Sequence, residues 1–289
     1  NLEGDAIRPF GVGHIIRGNI VQGLRETGWH ADIFQVYDNN YEQSLDLLIE
    51  NNVFRDSTGS ICMVLTSGKS QIGRWKWRNN LIVNVDGVCQ VSAPYFEFHN
   101  NTFVNAGRNT AGPILMRYSG DLEYAYAHHT QIINNLFIGC GSYPDGDGNG
   151  WYHFADRSAS SFEGFSADYN YVTKSGAAGF GAKGGFQGLE VNGINGGDPL
   201  FFNQMGNDFR LQAASRAVDR GIALAGFAYD IEGTVRPQGS GWDRGAYETA
   251  ASGGGAGLPG APRKTGEVKP RFCCDRWMTC CWSWARDRK

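Results

Sequence analysis

The 289-residue chain is 41% apolar and 13% aromatic with 41 glycines, enough to build a sizeable core around many tight turns. Its net charge of -3 is uneven: residues 251–289 hold eight Lys or Arg against three acids, leaving 18 bases and 26 acids, net -8, in the first 250. So acidic a body is a poor general surface for nucleic acid, and no apolar stretch approaches the roughly 20 residues of a helical membrane span. It suits neutral sugars better, or a divalent cation that recruits an anionic one.

The first expected element is a strand over Gly4 to Phe10. The chain opens on Asn1-Leu2-Glu3 without Met or a basic and apolar leader, and no amphipathic helix precedes that strand. A secreted protein, extracellular or periplasmic, that starts earlier than Asn1 is expected. From His14 a repeat takes over. His14-Ile-Ile-Arg-Gly-Asn19, Leu47-Leu-Ile-Glu-Asn-Asn52, Trp75-Lys-Trp-Arg-Asn-Asn80, Phe96-Glu-Phe-His-Asn-Asn101, Gln131-Ile-Ile-Asn-Asn135 and Phe165-Ser-Ala-Asp-Tyr-Asn170 align on their last asparagine. The steps between those asparagines are 33, 28, 21, 34 and 35 residues, a constant unit with variable insertions.

Each unit is a β-branched or aromatic run, then Asn or Asn-Asn, then a second such run. Asn tolerates the left-handed conformation of a sharp bend, and its amide can bond the Asn stacked above it. The runs are too short for helical periodicity, and the Asn-Gly signals of an antiparallel sandwich are sparse. The expected fold is all-β: a right-handed parallel β-helix solenoid of about six coils, with the repeats over residues 1–197. Cys62, Cys89 and Cys140 fall one per coil and read as small buried hydrophobes.

The strand that follows each variable loop is expected to present a groove. With Ile7, Phe34, Cys89, Met116 and Tyr152 inward, alternation puts Arg8, Gln35, Gln90, Arg117 and His153 in one outward column. Arg8, Gln35, Gln90 and Arg117 could neutralise a carboxylate, and His30, His153 or Lys69 could take a proton. His30 and Asp32 sit together at a strand entrance, where a His-x-Asp pair suits proton transfer with orientation or a metal, and a structural hydrogen-bond cluster is the plainer alternative. Tyr37 beside the groove suits stacking on a sugar ring, or equally a core or strand-edge place. The loop Asp145-Gly-Asp147-Gly-Asn149-Gly150, followed by Asp156, spaces hard oxygen donors as at the start of a calcium loop, and Ca²⁺ is the cofactor it suggests. No helices flank it, and a Gly/Asp turn is the plainer alternative.

The next segment reads Asp198-Pro-Leu-Phe201, Asp208-Phe-Arg-Leu211, Ser215-Arg-Ala-Val-Asp219-Arg-Gly221, Asp230-Ile-Glu-Gly233, Arg236-Pro237 and Asp243-Arg-Gly-Ala-Tyr-Glu248. It resembles the terminal module of bacterial secreted right-handed β-helix proteins of the pectate-lyase-like superfamily. Arg216, Arg220 and Arg244 depart from that pattern. The resemblance implies that residues 198–249 close the last coil, with the module's acids in structural roles. It also implies a carbohydrate-active protein with a polysaccharide partner, most readily a lyase that cleaves a uronate-containing glycan by β-elimination. A glycoside hydrolase, or a glycan-binding adhesin or phage-spike-like solenoid without activity, are the rivals. Residues 250–289 read as a Gly, Ala and Pro linker and a disordered tail. Its Cys273-Cys274 and Cys280-Cys281 pairs lack zinc spacing and a nearby His, so zinc is not expected.

Overall fold

The computed structural model describes residues 4–25, 31–37, 43–65, 71–109, 112–116, 128–141, 152–154, 163–173 and 190–250, and of 37, 63–65, 71 and 152–154 the backbone alone. The described chain is all-β. Asn1–Gly253 make up one unit and Gly254–Lys289 a second.

Three long sheets are parallel throughout. Sheet A joins β4 (Asp32–Tyr37), β8 (Ser60–Leu65), β12 (Cys89–Val91), β15 (Ile114–Met116) and β18 (Tyr152–Phe154). Sheet B joins β2 (Ile15–Arg17), β6 (Leu48–Glu50), β10 (Lys76–Arg78), β13 (Glu97–His99), β16 (Gln131–Ile133) and β19 (Ser166–Asp168). Sheet C joins β3 (Ile20–Gln22), β7 (Val53–Ser57), β11 (Leu81–Val85), β14 (Thr102–Val104), β17 (Leu136–Ile138), β20 (Tyr171–Val172) and β21 (Ile194–Asn195). From β4 to β20 the chain visits A, B and C in fixed rotation, and each visit lays a strand beside that of the previous circuit. A short sheet of β1 (Gly11–Val12), β5 (Gln43–Leu45) and β9 (Gln71–Gly73) bridges the way into sheet B.

The three sheets face one another across an apolar interior of in-register columns. Sheet A contributes Phe34, Cys62, Cys89 and Ile114, and sheet B contributes Ile49, Trp77, Phe98, Ile132 and Ala167. Sheet C adds Phe54, Ile82, Phe103, Phe137 and Val172, all buried. Rings stack along the columns, Trp77 on Phe98 at 6.0 Å and Phe103 on Phe137 at 5.0 Å, and each buried aromatic contributes about 1.5–3 kcal/mol. The three cysteines of the repeats are buried, as expected of small hydrophobes.

The corner between sheets B and C divides the work of Asn-Asn between its two members. The first residue takes the left-handed conformation: Asn51, Asn79, Asn100, Asn134 and Tyr169 have φ of 49–60°, and Gly18 has 69°. The second points inward and builds a ladder. In Asn19, Asn52, Asn80, Asn101 and Asn135 both the backbone N–H and Nδ2 donate to Oδ1 of the ladder asparagine in the following circuit, at 2.8–3.1 Å. From Asn52 onward, Nδ2 also donates to a carbonyl of the circuit before, such as Ile49 for Asn80. Asn170 donates in the same way to the carboxylate of Glu190, at 2.6 and 3.3 Å, and there the ladder ends.

Residues 198–250 do more than close the last circuit, which was their expected place. β22 (Phe201–Asn203) and β23 (Asp208–Leu211) form an antiparallel pair, and the segment then runs back along the outside of sheet C. Phe201, Phe209, Leu211 and Ala217 bury the outward side chains Leu81, Val83, Val104, Leu136, Ile138 and Tyr171, so sheet C is largely apolar on both faces from β11 to β20, while Ile20, Gln22 and Arg55 on β3 and β7 stay outside this cover. The left-handed asparagines are the docking strip. Asn79 Nδ2 donates to the Tyr229 carbonyl, Asn100 Nδ2 to those of Asp243 and Gly245, and Asn134 Nδ2 to that of Ile222. Gly245, at φ 89°, passes so close that an added Cβ would lie 2.7 Å from both Leu136 Cδ1 and Thr102 Oγ1. The segment's acids serve its turns, as expected: Asp230, Asp243 and Glu248 accept backbone N–H groups, and Glu248 pairs with buried Arg236 at 2.7 Å.

Candidate functional site

With sheet C plated over from β11 onward, the outward faces of sheets A and B are the main surfaces left for function. On sheet A the register pairs Gln35 with Met63, Met63 with Gln90, Gln90 with Leu115 and Leu115 with His153, and Arg8 follows the Ile7–Phe34 bridge. Arg8, Gln35 and Gln90 therefore share the expected column, and the His153 backbone lies at its last rung. Its remaining place is held by Leu115, not Arg117, because Met116 pairs with Val91 and Ile114 with Cys89. The reason is physical: a slip of two residues leaves every side chain on its own face, so alternation alone does not detect it.

At the start of the column four side chains form one network. Arg8 Nη2 donates to Gln35 Oε1 at 2.6 Å, and Gln35 Nε2 donates to Asp32 Oδ2 at 3.0 Å. Arg8 also pairs with Asp5 at 2.6 Å, and Asp5 Oδ1 accepts the Asp32 backbone N–H at 3.2 Å. The Arg8 side chain is 61% exposed, whereas Asp32 and Gln90 are buried. Asp32 thus orients Gln35 and does not face a ligand directly, and Arg8 is the cation presented outward. Tyr37 belongs to β4 opposite Leu65. His30, Lys69, Arg117, Asp145, Asp147, Asn149 and Asp156 lie outside the described residues.

Sheet B carries a second polar cluster that sequence reasoning missed. Glu97 receives Lys76 at 2.9 Å, with Arg78 at 3.7 Å and His99 at 3.8 Å. Burial holds the His99 imidazole down at about 4, so it is neutral at pH 7. Arg78 is buried beneath the returning segment, donating to the Gly226 carbonyl at 2.9 Å with its guanidinium 5.0 Å from the Phe227 ring centre. The signal was present in Trp75-Lys-Trp-Arg and Phe96-Glu-Phe-His, where apolar and polar residues alternate just before the asparagine pair.

A third feature lies where the returning segment meets the last circuit. A cleft of about 930 Å³ is lined by Tyr169, Asn192, Arg216, Asp219, Arg220 and Arg244 among others. It gathers the three arginines at which the segment departs from the pattern it resembles. Arg244 is buried and donates to the carbonyls of Arg220, Asn170 and Asn192 at 2.8, 3.1 and 2.7 Å. Burial lowers its guanidinium to about 10, leaving it charged at neutral pH.

No protein-family model matches the chain, and no curated protein matches it.

Proposed function

We propose that this chain is a right-handed parallel β-helix of the pectate-lyase-like kind, extracellular or periplasmic. Its outer sheet A receives a uronate-containing polysaccharide and cleaves it by β-elimination. The rotation of the chain through three parallel sheets supports the coil, and its right hand follows from the general rule for crossovers between parallel strands. The observation that carries the function is the in-register pair of Arg8 and Gln35, a cation and an amide 2.6 Å apart on adjacent circuits of one outward face. Neighbouring circuits repeat at about 4.8 Å, close to the dimensions of a sugar unit, so a glycan lying along the column can meet one polar group per circuit.

In this reading Arg8, held by Asp5 and by Gln35, grips the uronate carboxylate, and Asp32 fixes the Gln35 amide from below. Stabilising that carboxylate makes the α-proton removable, the step assigned to His153, His30 or Lys69. The segment Asp145 to Asp156 offers Asp145, Asp147, Asn149 and Asp156 as hard oxygen donors, the donor chemistry Ca²⁺ takes, and bound Ca²⁺ would add positive charge beside the substrate carboxylate. Calorimetry with Ca²⁺ on metal-stripped protein tests that assignment: no heat, or an unchanged affinity in Asp147→Ala, removes it.

Digests of pectate, alginate and glycosaminoglycan, followed by ultraviolet absorbance of the unsaturated product and by reducing ends, test the reaction. Absorbance is expected on one uronate polymer, with turnover at least tenfold lower in Arg8→Ala and no comparable loss of stability. Reducing ends without absorbance would indicate hydrolysis instead. The burial of Gln90 and the pairing of Arg8 with Asp5 favour one second reading, a solenoid that holds glycan without cutting it. Retention on a uronate polymer with neither product would establish that reading.

A further inference from the structure

The cleft beside the last circuit is unlike the rest of this acidic body. Arg244 spends its three hydrogen bonds on carbonyl oxygens, so among the described residues no carboxylate bonds a guanidinium that is almost wholly out of water, and Glu190 and Asp168 act on it only through space. Carbonyls solvate such a charge but do not neutralise it. Asp219, the acid on the cleft wall, directs Oδ1 to the backbone N–H of Gly241 at 3.0 Å. Arg220 is exposed, and its side chain makes no hydrogen bond or ion pair among the described residues. Arg216, also exposed, makes one long bond from Nη1 to the Gly196 carbonyl at 3.3 Å, which leaves most of its donors open.

We propose that this cleft is a second glycan site, which takes an acidic saccharide through a carboxylate or sulfate group held by Arg216 and Arg220 over the buried charge of Arg244. Planar guanidinium forks match both groups, and the oxyanion supplies a counter-charge in direct contact, which none of Arg244's hydrogen bonds provides. A cleft of about 930 Å³ has room for sugar rings around the anion. The choice of a saccharide rests on the function proposed above; the choice of an anion rests on the three arginines alone. Such a site would anchor a polyanionic chain away from sheet A, so that release from the groove does not release the polymer.

Calorimetric titration of the full chain with oligogalacturonate, with a chondroitin sulfate oligosaccharide and with a neutral oligosaccharide tests the site. The proteins compared are the wild type, R216A/R220A and Arg8→Ala. At least one acidic ligand is expected to bind at least tenfold more weakly to R216A/R220A, with salt weakening the wild-type binding. Arg8→Ala should retain the cleft component. Because both substituted side chains are exposed, thermal unfolding of R216A/R220A should match the wild type; if it does not, the single R220A variant carries the comparison. A response to oligogalacturonate marks a carboxylate site and one to chondroitin sulfate a sulfate site. Equal binding by R216A/R220A and wild type, equal binding of the neutral ligand, or no acidic binding at all would overturn the proposal. Loss confined to Arg8→Ala would overturn the cleft and leave the groove reading standing. Cleft binding without unsaturated product would sustain the cleft and remove the lyase.

Discussion

A single buried side chain in the ladder serves partners on both sides. Asn101 accepts two bonds from Asn80 and donates to Asn135 Oδ1 and the Trp77 carbonyl, at 2.9–3.0 Å. Asn101→Ala strands the Asn80 donors away from water, and a loss of about 1–3 kcal/mol is expected in urea denaturation. Glu190 closes the same ladder, and burial pushes its carboxyl up to about 8 against the pull of the Asn170 donors. A raised acid favours the protonated native state. The stability it contributes is therefore complete below pH 4.5 and is lost as pH climbs to about 8, at roughly 1.4 kcal/mol per unit. Glu190→Gln keeps an acceptor without the titration, so its stability should gain on the wild type across that window. His99 acts from the other side. Its lowered value means that stability is held above pH 6.5 and lost as pH falls toward about 4. His99→Gln should flatten the acid limb of a denaturation series, and an unchanged limb would refute this role.

At the level of elements, the returning segment is pinned by a pair that solvent does not reach. Arg236 and Glu248 have side chains 0% exposed and meet at 2.7 Å, and Arg236 Nη2 also reaches Asn79 Oδ1 at 3.2 Å. Arg236→Met leaves a buried carboxylate alone and should cost about 3–5 kcal/mol, and R236M/E248M should recover much of it. Equal stability of R236M and the wild type would contradict that. The asparagine bends were legible in the sequence because each circuit must set an amide at the same corner, a demand few residues meet. The plating of sheet C was not read, although its signal was there: Leu81-Ile-Val and Leu136-Phe-Ile are apolar without alternation, the mark of a strand buried on both faces. On sheet A the outward face was legible at Arg8, Gln35 and Gln90, but the rung opposite Gln90 was not, since facing carries no information about two-residue register.

Across the whole molecule, Asn1–Gly253 form one unit, so truncation after Ala250 should leave the unfolding midpoint unchanged, as scanning calorimetry would check. Truncation before Asp198 should instead bare Leu81, Leu136 and Tyr171 and lead to aggregation, visible as scattering on heating. The ladder has a further consequence, which concerns descent. All its amide-to-amide bonds run toward later circuits, so it has a sense, like a one-way thread. Asn19 Oδ1 accepts nothing among the described residues and could receive another circuit's donors, whereas a circuit placed after Glu190 would meet a carboxyl group in place of the two-donor amide that continues the ladder. Duplication of coding segments can therefore lengthen this architecture internally or ahead of Asn19. Beyond Glu190 it would first have to replace the residue that ends the thread.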